Sequence, residues 1–436
     1  YKDGSTDREI YGLSANLSVD LDDYLFTSIT AFRKQDYYFF DDLTGRYLRD
    51  SGTSLMNDAS ETSEQITQEF RLQNLTNGPF EWTAGVYLFN EDIERLEAWD
   101  STKMYELQGV NNTSSRGAWD AANETDSYAI FGEGSYRLND HWGLTVGGRY
   151  TYDKKDFSVT ASGAPDLLGF LQENYEVAEE KSWNSFTPKL TVNYFTDQGD
   201  MLYLTLSEGY KAGGYNGIAA TEQAASVPFD QEKAKNYELG FKARFFDRAL
   251  SLNGAAYFLD YTDLQNFTTD IETGEVRTAT GDAEIKGVEL DANALLTDGL
   301  RMFATYAFTD SEFTSFESDP SVIGNALART PEHSGSVGFN YQWLLDNGQN
   351  LDWRTDVTYQ DEMFFSVSNE ETAKTDSYAL VNSNVTWETR DGWEFSIYGK
   401  NLTDKEYIVH SFSLTGVGFA IQGEPRTFGI SVAKSF

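Results

Sequence analysis

Among the side chains of this chain that could take part in chemistry, the aromatic ones stand out. Of 436 residues, 26 are Tyr, 30 are Phe and 9 are Trp, whereas Cys is absent and His numbers 3. Without Cys there is no thiolate nucleophile, no thiolate metal site and no disulfide framework. His333 and His410 fall beside long polar segments and His141 in a short turn, so each reads as an ordinary polar residue rather than a haem ligand. Acidic pairs are too many to single out a glycosidase couple, and no Ser/His/Asp set stands out. The groups Asp20, Asp22, Asp23 and Asp41, Asp42 lack the D-x-[DN]-x-[DN]-G spacing of a calcium loop and read as solvated carboxylates. The Gly-rich stretch 207–217 lacks the G-x-x-x-x-G-K-[ST] spacing and the helix of a phosphate loop. Gly213 and Gly214 there suit a strand turning into a loop. No catalytic residue and no resident cofactor is expected.

What remains is binding. Tyr37, Tyr38, Phe39, Phe40, Trp99, Tyr105, Trp119, Phe364, Phe365 and Phe412 lie in or beside long polar segments. Their ring faces suit stacking on a flat catecholate or a sugar ring. Arg116, between Tyr105 and Trp119, could meet an anionic ligand. The same aromatics could instead pack the loops against one another. The balance of 33 basic against 70 acidic residues gives a net charge of -37, so nucleic acid is a poor partner.

The elements that must position these residues show a period of two. After the turn at 390–392, Trp393, Phe395 and Ile397 alternate with Glu394, Ser396, Tyr398 and Lys400, which gives a strand with one apolar and one polar face. Val288, Leu290, Ala292, Ala294 and Leu296 oppose Glu289, Asp291 and Asn293 in the same way. Val337, Phe339, Tyr341 and Trp343 likewise oppose Ser336, Asn340 and Gln342. Read between turn signals, the chain holds about 17 such strands.

Short connections at 20–23, 77–79, 139–141, 197–200, 246–248, 297–299, 346–349 and 390–392 alternate with long ones. The long ones lie near 41–62, 96–124, 160–182, 214–234, 265–279, 315–331, 366–376 and 409–424. Turns on one side and loops on the other suit a transmembrane antiparallel up-and-down β-barrel of the bacterial outer membrane. Trp343, Trp353, Trp387 and Trp393, at strand ends, suit an interfacial girdle. The mean hydropathy of -0.50 fits alternating faces. No apolar run approaches the roughly 20 residues of a membrane helix.

Antiparallel closure needs an even number of strands. An odd count sets the first and last strands parallel, so an ascending partner is expected before Tyr1, which is not a start Met. Residues 1–436 are therefore expected to be one barrel domain truncated at its N-terminal side.

Several segments resemble one family, in order. SEGYKAGGYN at 207–216 is similar to a strand end of TonB-dependent outer-membrane receptors, and Asn236-Tyr237-Glu238-Leu239-Gly240 resembles the strand that follows. DYTDLQ at 260–265, KGVEL at 286–290, RTPEH at 329–333 and NLTDKEY at 401–407 are similar to later signatures. Phe428, Ile430, Val432 and Phe436 resemble the C-terminal assembly signal of outer-membrane barrels, with Lys434 a departure.

The resemblance implies a barrel of 22 strands with a plugged lumen, of which about five strands and the plug lie outside this sequence. It implies energy-coupled import of a scarce solute, foremost a ferric siderophore by family frequency. Saccharide or cobalamin import, a passive porin and a structural or adhesive barrel stay open. The partners implied are the small ligand, TonB through the absent N-terminal part, and outer-membrane lipid and lipopolysaccharide.

Overall fold

The computed structural model describes residues 4–42, 55–75, 78–101, 115–163, 171–269, 276–317, 319–345, 348–414 and 417–435. Its first strands are β1 (Ser5–Leu21), β2 (Tyr24–Asp42), β3 (Met56–Asn74), β4 (Phe80–Asp100), β5 (Arg116–Arg137), β6 (Trp142–Gly163), β7 (Tyr175–Phe195) and β8 (Met201–Lys211). A five-residue helix α1 (Glu222–Ser226) precedes β9 (Glu232–Phe245). Then come β10 (Leu250–Thr269), β11 (Val276–Leu295), β12 (Leu300–Phe313), β13 (His333–Leu344) and β14 (Asn350–Gln360). The loop hairpin β15 (Met363–Phe364) and β16 (Lys374–Thr375) leads to β17 (Tyr378–Glu388) and β18 (Trp393–Lys400). A second loop hairpin, β19 (Ile408–Leu414) and β20 (Val417–Gln422), precedes β21 (Thr427–Lys434).

Leaving out the two loop hairpins, the strands form one 17-stranded sheet in which each pairs antiparallel with its sequence neighbours. This is the all-β up-and-down sheet of a transmembrane barrel, with the expected number of strands. Among the described residues no ladder joins β1 to β21. Both edge strands run toward the end with the short connections.

Register turns alternation into two walls. Val86, Ile130, Tyr150 and Phe186 stand opposite one another on β4 to β7, all on one face and all exposed. Tyr341, Trp353, Val385, Ile397 and Ile430 continue that face to β21. This apolar belt is the lipid-facing wall. At its short-connection end Trp343 and Trp353 stack with ring centroids 6.4 Å apart, and Trp387 and Phe395 at 5.5 Å, as an interfacial girdle requires. Lys434 joins this girdle, its ammonium 5.0 Å from the centre of the Trp393 ring. The opposite wall is polar: Glu133 meets Lys189 at 2.9 Å and Ser135 meets Thr145 at 2.8 Å.

The strands rise further than the sequence pattern suggests. The loop expected at 96–124 shrinks to 101–115, that at 160–182 to 164–174, and that at 265–279 to 270–275. Past the belt the outward face becomes a charged row, Lys34, Glu64, Asp92, Glu124, Asp156 and Glu180, still in register across β2 to β7. The apolar signal stops there, while the backbone ladder does not.

Ile130, 62% exposed on the belt, gives a direct check. Ile130→Arg should destabilise the barrel in vesicles by about 2–4 kcal/mol. Thr83→Arg, on the polar wall opposite Glu133, should cost far less in the same refolding titration.

Candidate ligand-binding site

The long connections gather at one end, and the aromatic residues singled out above sort there by register. Tyr37 and Tyr38 are sequence neighbours on β2, so they face opposite sides. Tyr37 lies on the polar wall, stacked on Phe39 with centroids 6.4 Å apart and covered by the Arg8 guanidinium at 4.7 Å. Tyr38 points outward and is exposed. Arg116 also faces outward, where Asp58 holds it at 3.3 Å, so it does not meet Trp119. Tyr105 lies outside the described residues.

Trp99 and Trp119 stand on strands rather than in loops. The Trp99 indole N–H donates to Glu97 at 3.0 Å. Glu97 is only 6% exposed and also accepts from Asn57 at 3.1 Å and from Arg95 at 2.8 Å, so Trp99 is fixed in place. Trp119 is 1% exposed, and its N–H donates to the Ala219 carbonyl at 2.8 Å. It packs with Phe157, Val159, Tyr175 and Val177 into an apolar core on the lumen side. For Trp119 the loop-packing reading holds.

A second cluster sets more open polar groups around a buried ring, Phe365, which is only 8% exposed. Phe365 meets His410 edge-on with centroids 5.7 Å apart, and the Arg329 guanidinium lies 5.8 Å from the centre of the Phe365 ring. Arg329 Nη2 is 3.0 Å from His410 Nδ1. A guanidinium can only donate, so Nδ1 accepts and His410 is neutral with its proton on Nε2. Phe412 lies beside His410 at 6.1 Å and stacks on Phe419 at 4.9 Å. Phe364 is covered by the Lys374 ammonium at 5.3 Å, and Glu362 holds that ammonium at 3.0 Å. The hydrogen bond to Glu362 raises the Lys374 pKa and keeps it charged.

Arg329 holds a left-handed backbone at φ 62° and donates its N–H to the Phe364 carbonyl at 2.7 Å. Such strain in a non-glycine residue persists only where neighbours enforce it. Arg329, Lys374 and Phe419 escaped the sequence reading, and His410 was set aside as an ordinary polar residue. Arg329 opens the RTPEH segment, which was the one available signal. Among the described residues no three His, Asp or Glu side chains converge as metal ligands. A recess of about 890 Å³ lies elsewhere, mainly along the outward charged row that includes Lys34, Glu64 and Glu124.

The model of the family described as TonB dependent receptor-like, beta-barrel matches residues 1–402. The chain belongs to that family. The receptor barrel is 26% identical over 277 residues to the ferrichrome outer membrane transporter/phage receptor of Escherichia coli K12, covering 63% of this chain and 34% of that protein. It is 23% identical over 418 residues to the pesticin receptor of Yersinia pestis, covering 95% of this chain and 57% of that one. The solved ferric yersiniabactin uptake receptor FyuA from Yersinia pestis superposes with a TM-score of 0.82 at 21% identity, covering 98% of this chain and 61% of that structure. The receptor barrel thus spans well under two thirds of these relatives' length. Its place is the outer membrane of Gram-negative bacteria, where the apolar belt and girdle fit.

Burial, and secondarily the Arg329 charge, holds the His410 pKa below the ordinary imidazole value of 6.5. A depressed value means the loosened corner binds more protons than the closed one. The Arg329–His410 contact is therefore complete above about pH 6.5 and is lost as the pH falls below it. An NMR titration, with His410→Gln to assign the signal, should place the His410 midpoint below the ordinary imidazole value of 6.5. A midpoint equal to or above it would contradict the packing described.

Proposed function

We propose that the whole receptor imports a scarce solute as a ferric siderophore, energised by TonB through parts outside these residues, with this barrel as its wall. The observation that carries the reading is the corner of Arg329, Phe365, His410 and Phe412. A guanidinium, an N–H donor and aromatic faces converge there at the long-connection end, which suits a flat anionic chelate. The relatives, among them a ferrichrome transporter and a ferric yersiniabactin receptor, support the same ligand class. Phe364 and Phe412 are the proposed contacts, with Tyr37 and Trp99 on the lumen side, and the buried Phe365 backs the corner. Tyr38 and Arg116 face away from such a ligand. The belt contacts lipid, and the mostly acidic row above it lies at the headgroup level, where divalent cations would bridge its carboxylates to lipopolysaccharide phosphates. The protein is a transport receptor and not an enzyme.

The test is twofold. Cells starved of iron should carry several times more of the full-length receptor in the outer membrane than iron-replete cells. Ferric-siderophore binding should weaken about tenfold in Arg329→Ala, the scale of a lost charged hydrogen bond. Unchanged abundance together with unchanged binding would move the reading to another solute.

Closure is also a proposal. β1 and β21 run in the same direction, so antiparallel closure requires an odd number of further strands between them. A bilayer does not tolerate the two open edges. Residues 1–436 alone should therefore fail to show the unboiled-gel mobility shift of a closed barrel, and the full-length receptor should show it. A closed, monomeric 436-residue barrel would refute this.

A further inference from the structure

We propose that residues 212–231, between β8 and β9, form a fixed strap on the lumen side of the mouth and set the largest ligand that reaches the Arg329 corner. The size role rests on the import reading; the fixed strap does not.

The strap lies inside because the residues it covers do. Trp119, Phe157 and Tyr175 occupy the face of β5, β6 and β7 opposite the belt, with no register shift in those ladders. The Trp119 indole N–H and the Tyr175 hydroxyl both donate to the Ala219 carbonyl, at 2.8 and 2.6 Å. Tyr215 stacks flat on Phe157, with centroids 5.0 Å apart and planes 2° from parallel. Ala219 and Ala225 are fully buried in the same core.

The strap is also tied across β8 and β9 to the next strands. Asn216 Oδ1 accepts from the Thr278 backbone N–H on β11 at 2.8 Å. Gln265, on β10, donates its side-chain amide to the carbonyls of Ala212 and Asp230, both at 3.0 Å. One side chain thus clips both feet of the strap. Gly214 and Phe229 close it with paired backbone bonds of 3.3 and 2.9 Å. At Gly213 a Cβ would run into the Phe229 carbonyl and the Trp183 ring, so only glycine fits that approach.

A segment held on two walls cannot swing aside for a bulky solute without breaking these contacts. It takes space from the mouth permanently. The segments SEGYKAGGYN and DYTDLQ end on Asn216 and Gln265, so both supply positioning residues for the strap rather than ligand contacts.

The experiment compares the full-length receptor with Asn216→Ala/Gln265→Ala. Binding is measured for ferric chelates of increasing size, from a single small tris-catecholate to bulky peptide hydroxamates. Hydrogen exchange of 215–225 is followed in parallel. The variant should exchange there at least tenfold faster. It should gain at least tenfold in relative affinity for the bulkiest chelates while the smallest binds as before. Gln265→Ala alone, checked for the gel shift of a closed barrel, replaces the double variant if that one does not fold. Exchange in 215–225 of the unaltered receptor as fast as in an open loop overturns the fixed strap, and unchanged exchange in the variant overturns its tie to β10 and β11. Faster exchange with equal effects on all chelates overturns its size role. If no ferric chelate binds either protein, the import reading and the size role both fail, while the exchange data still decide whether the strap is fixed.

Discussion

A backbone in hydrocarbon must satisfy every N–H and C=O within the protein, and the rest of this structure depends on that demand. It forbids gaps in the ladders through the membrane, and β4 and β5 accordingly pair residue for residue from Phe80 with Tyr136 to Asp100 with Arg116. An unbroken ladder fixes register, and register fixes which side every side chain faces. Ile130 meets lipid and Phe131 meets the lumen for no other reason than the pleat. The lumen residue then finds its own partner, the Arg149 guanidinium, which Tyr87 also faces.

The same ladders carry on above the membrane, where the reason for an apolar outer face has gone. The outward wall becomes charged and Lys154 bridges Asp156 and Glu180, each at 3.0 Å. The inner wall takes up the apolar burden instead, with Phe157, Val159 and Val177 sealed under the strap. The polarity of the two faces is thus reversed across the headgroup level, although the backbone is one continuous strand. A hydropathy average over such a strand cancels, which is why the mean hydropathy of -0.50 conceals a membrane protein.

This reversal also explains what the sequence could and could not reveal. The turns at 390–392 and 197–200, the strand around Val288 and Leu290, and the girdle at Trp387 and Trp393 were legible because lipid imposes a simple alternating pattern. Trp99 and Trp119 read as loop residues because the alternation around them is no longer apolar against polar. Their roles depend on Glu97 and on Ala219, and the latter lies 100 residues away from Trp119. The Arg329–His410 contact joins residues 81 apart through two different connections, and no local pattern encodes such a meeting. NLTDKEY, by contrast, is a local device. Asn401, buried at φ 46°, exchanges hydrogen bonds with the Lys405 backbone at 2.9 Å and also donates to the Glu424 carbonyl at 3.1 Å, so its spacing could be read even though its purpose could not.

The two halves of the mouth are built on different principles, and the difference bears on transport. The half over β5 to β7 is held chiefly by neutral hydrogen bonds to backbone, flat stacking and full burial, which do not respond to pH. The exposed Lys181–Asp230 pair at 3.4 Å and the Glu173 carboxylate on the Glu222 N–H at 3.0 Å hold it in addition. The half that carries Arg329 is held by a strained backbone, a titrating imidazole and cation–aromatic contacts. Each of those is worth only about 1–3 kcal/mol and can be exchanged for a contact with ligand. A receptor for scarce solutes needs both properties, because a wall that yielded everywhere would not discriminate and one that yielded nowhere would not close on its ligand. On the proposed import reading, this asymmetry puts discrimination on the strap side and response on the arginine side of one opening.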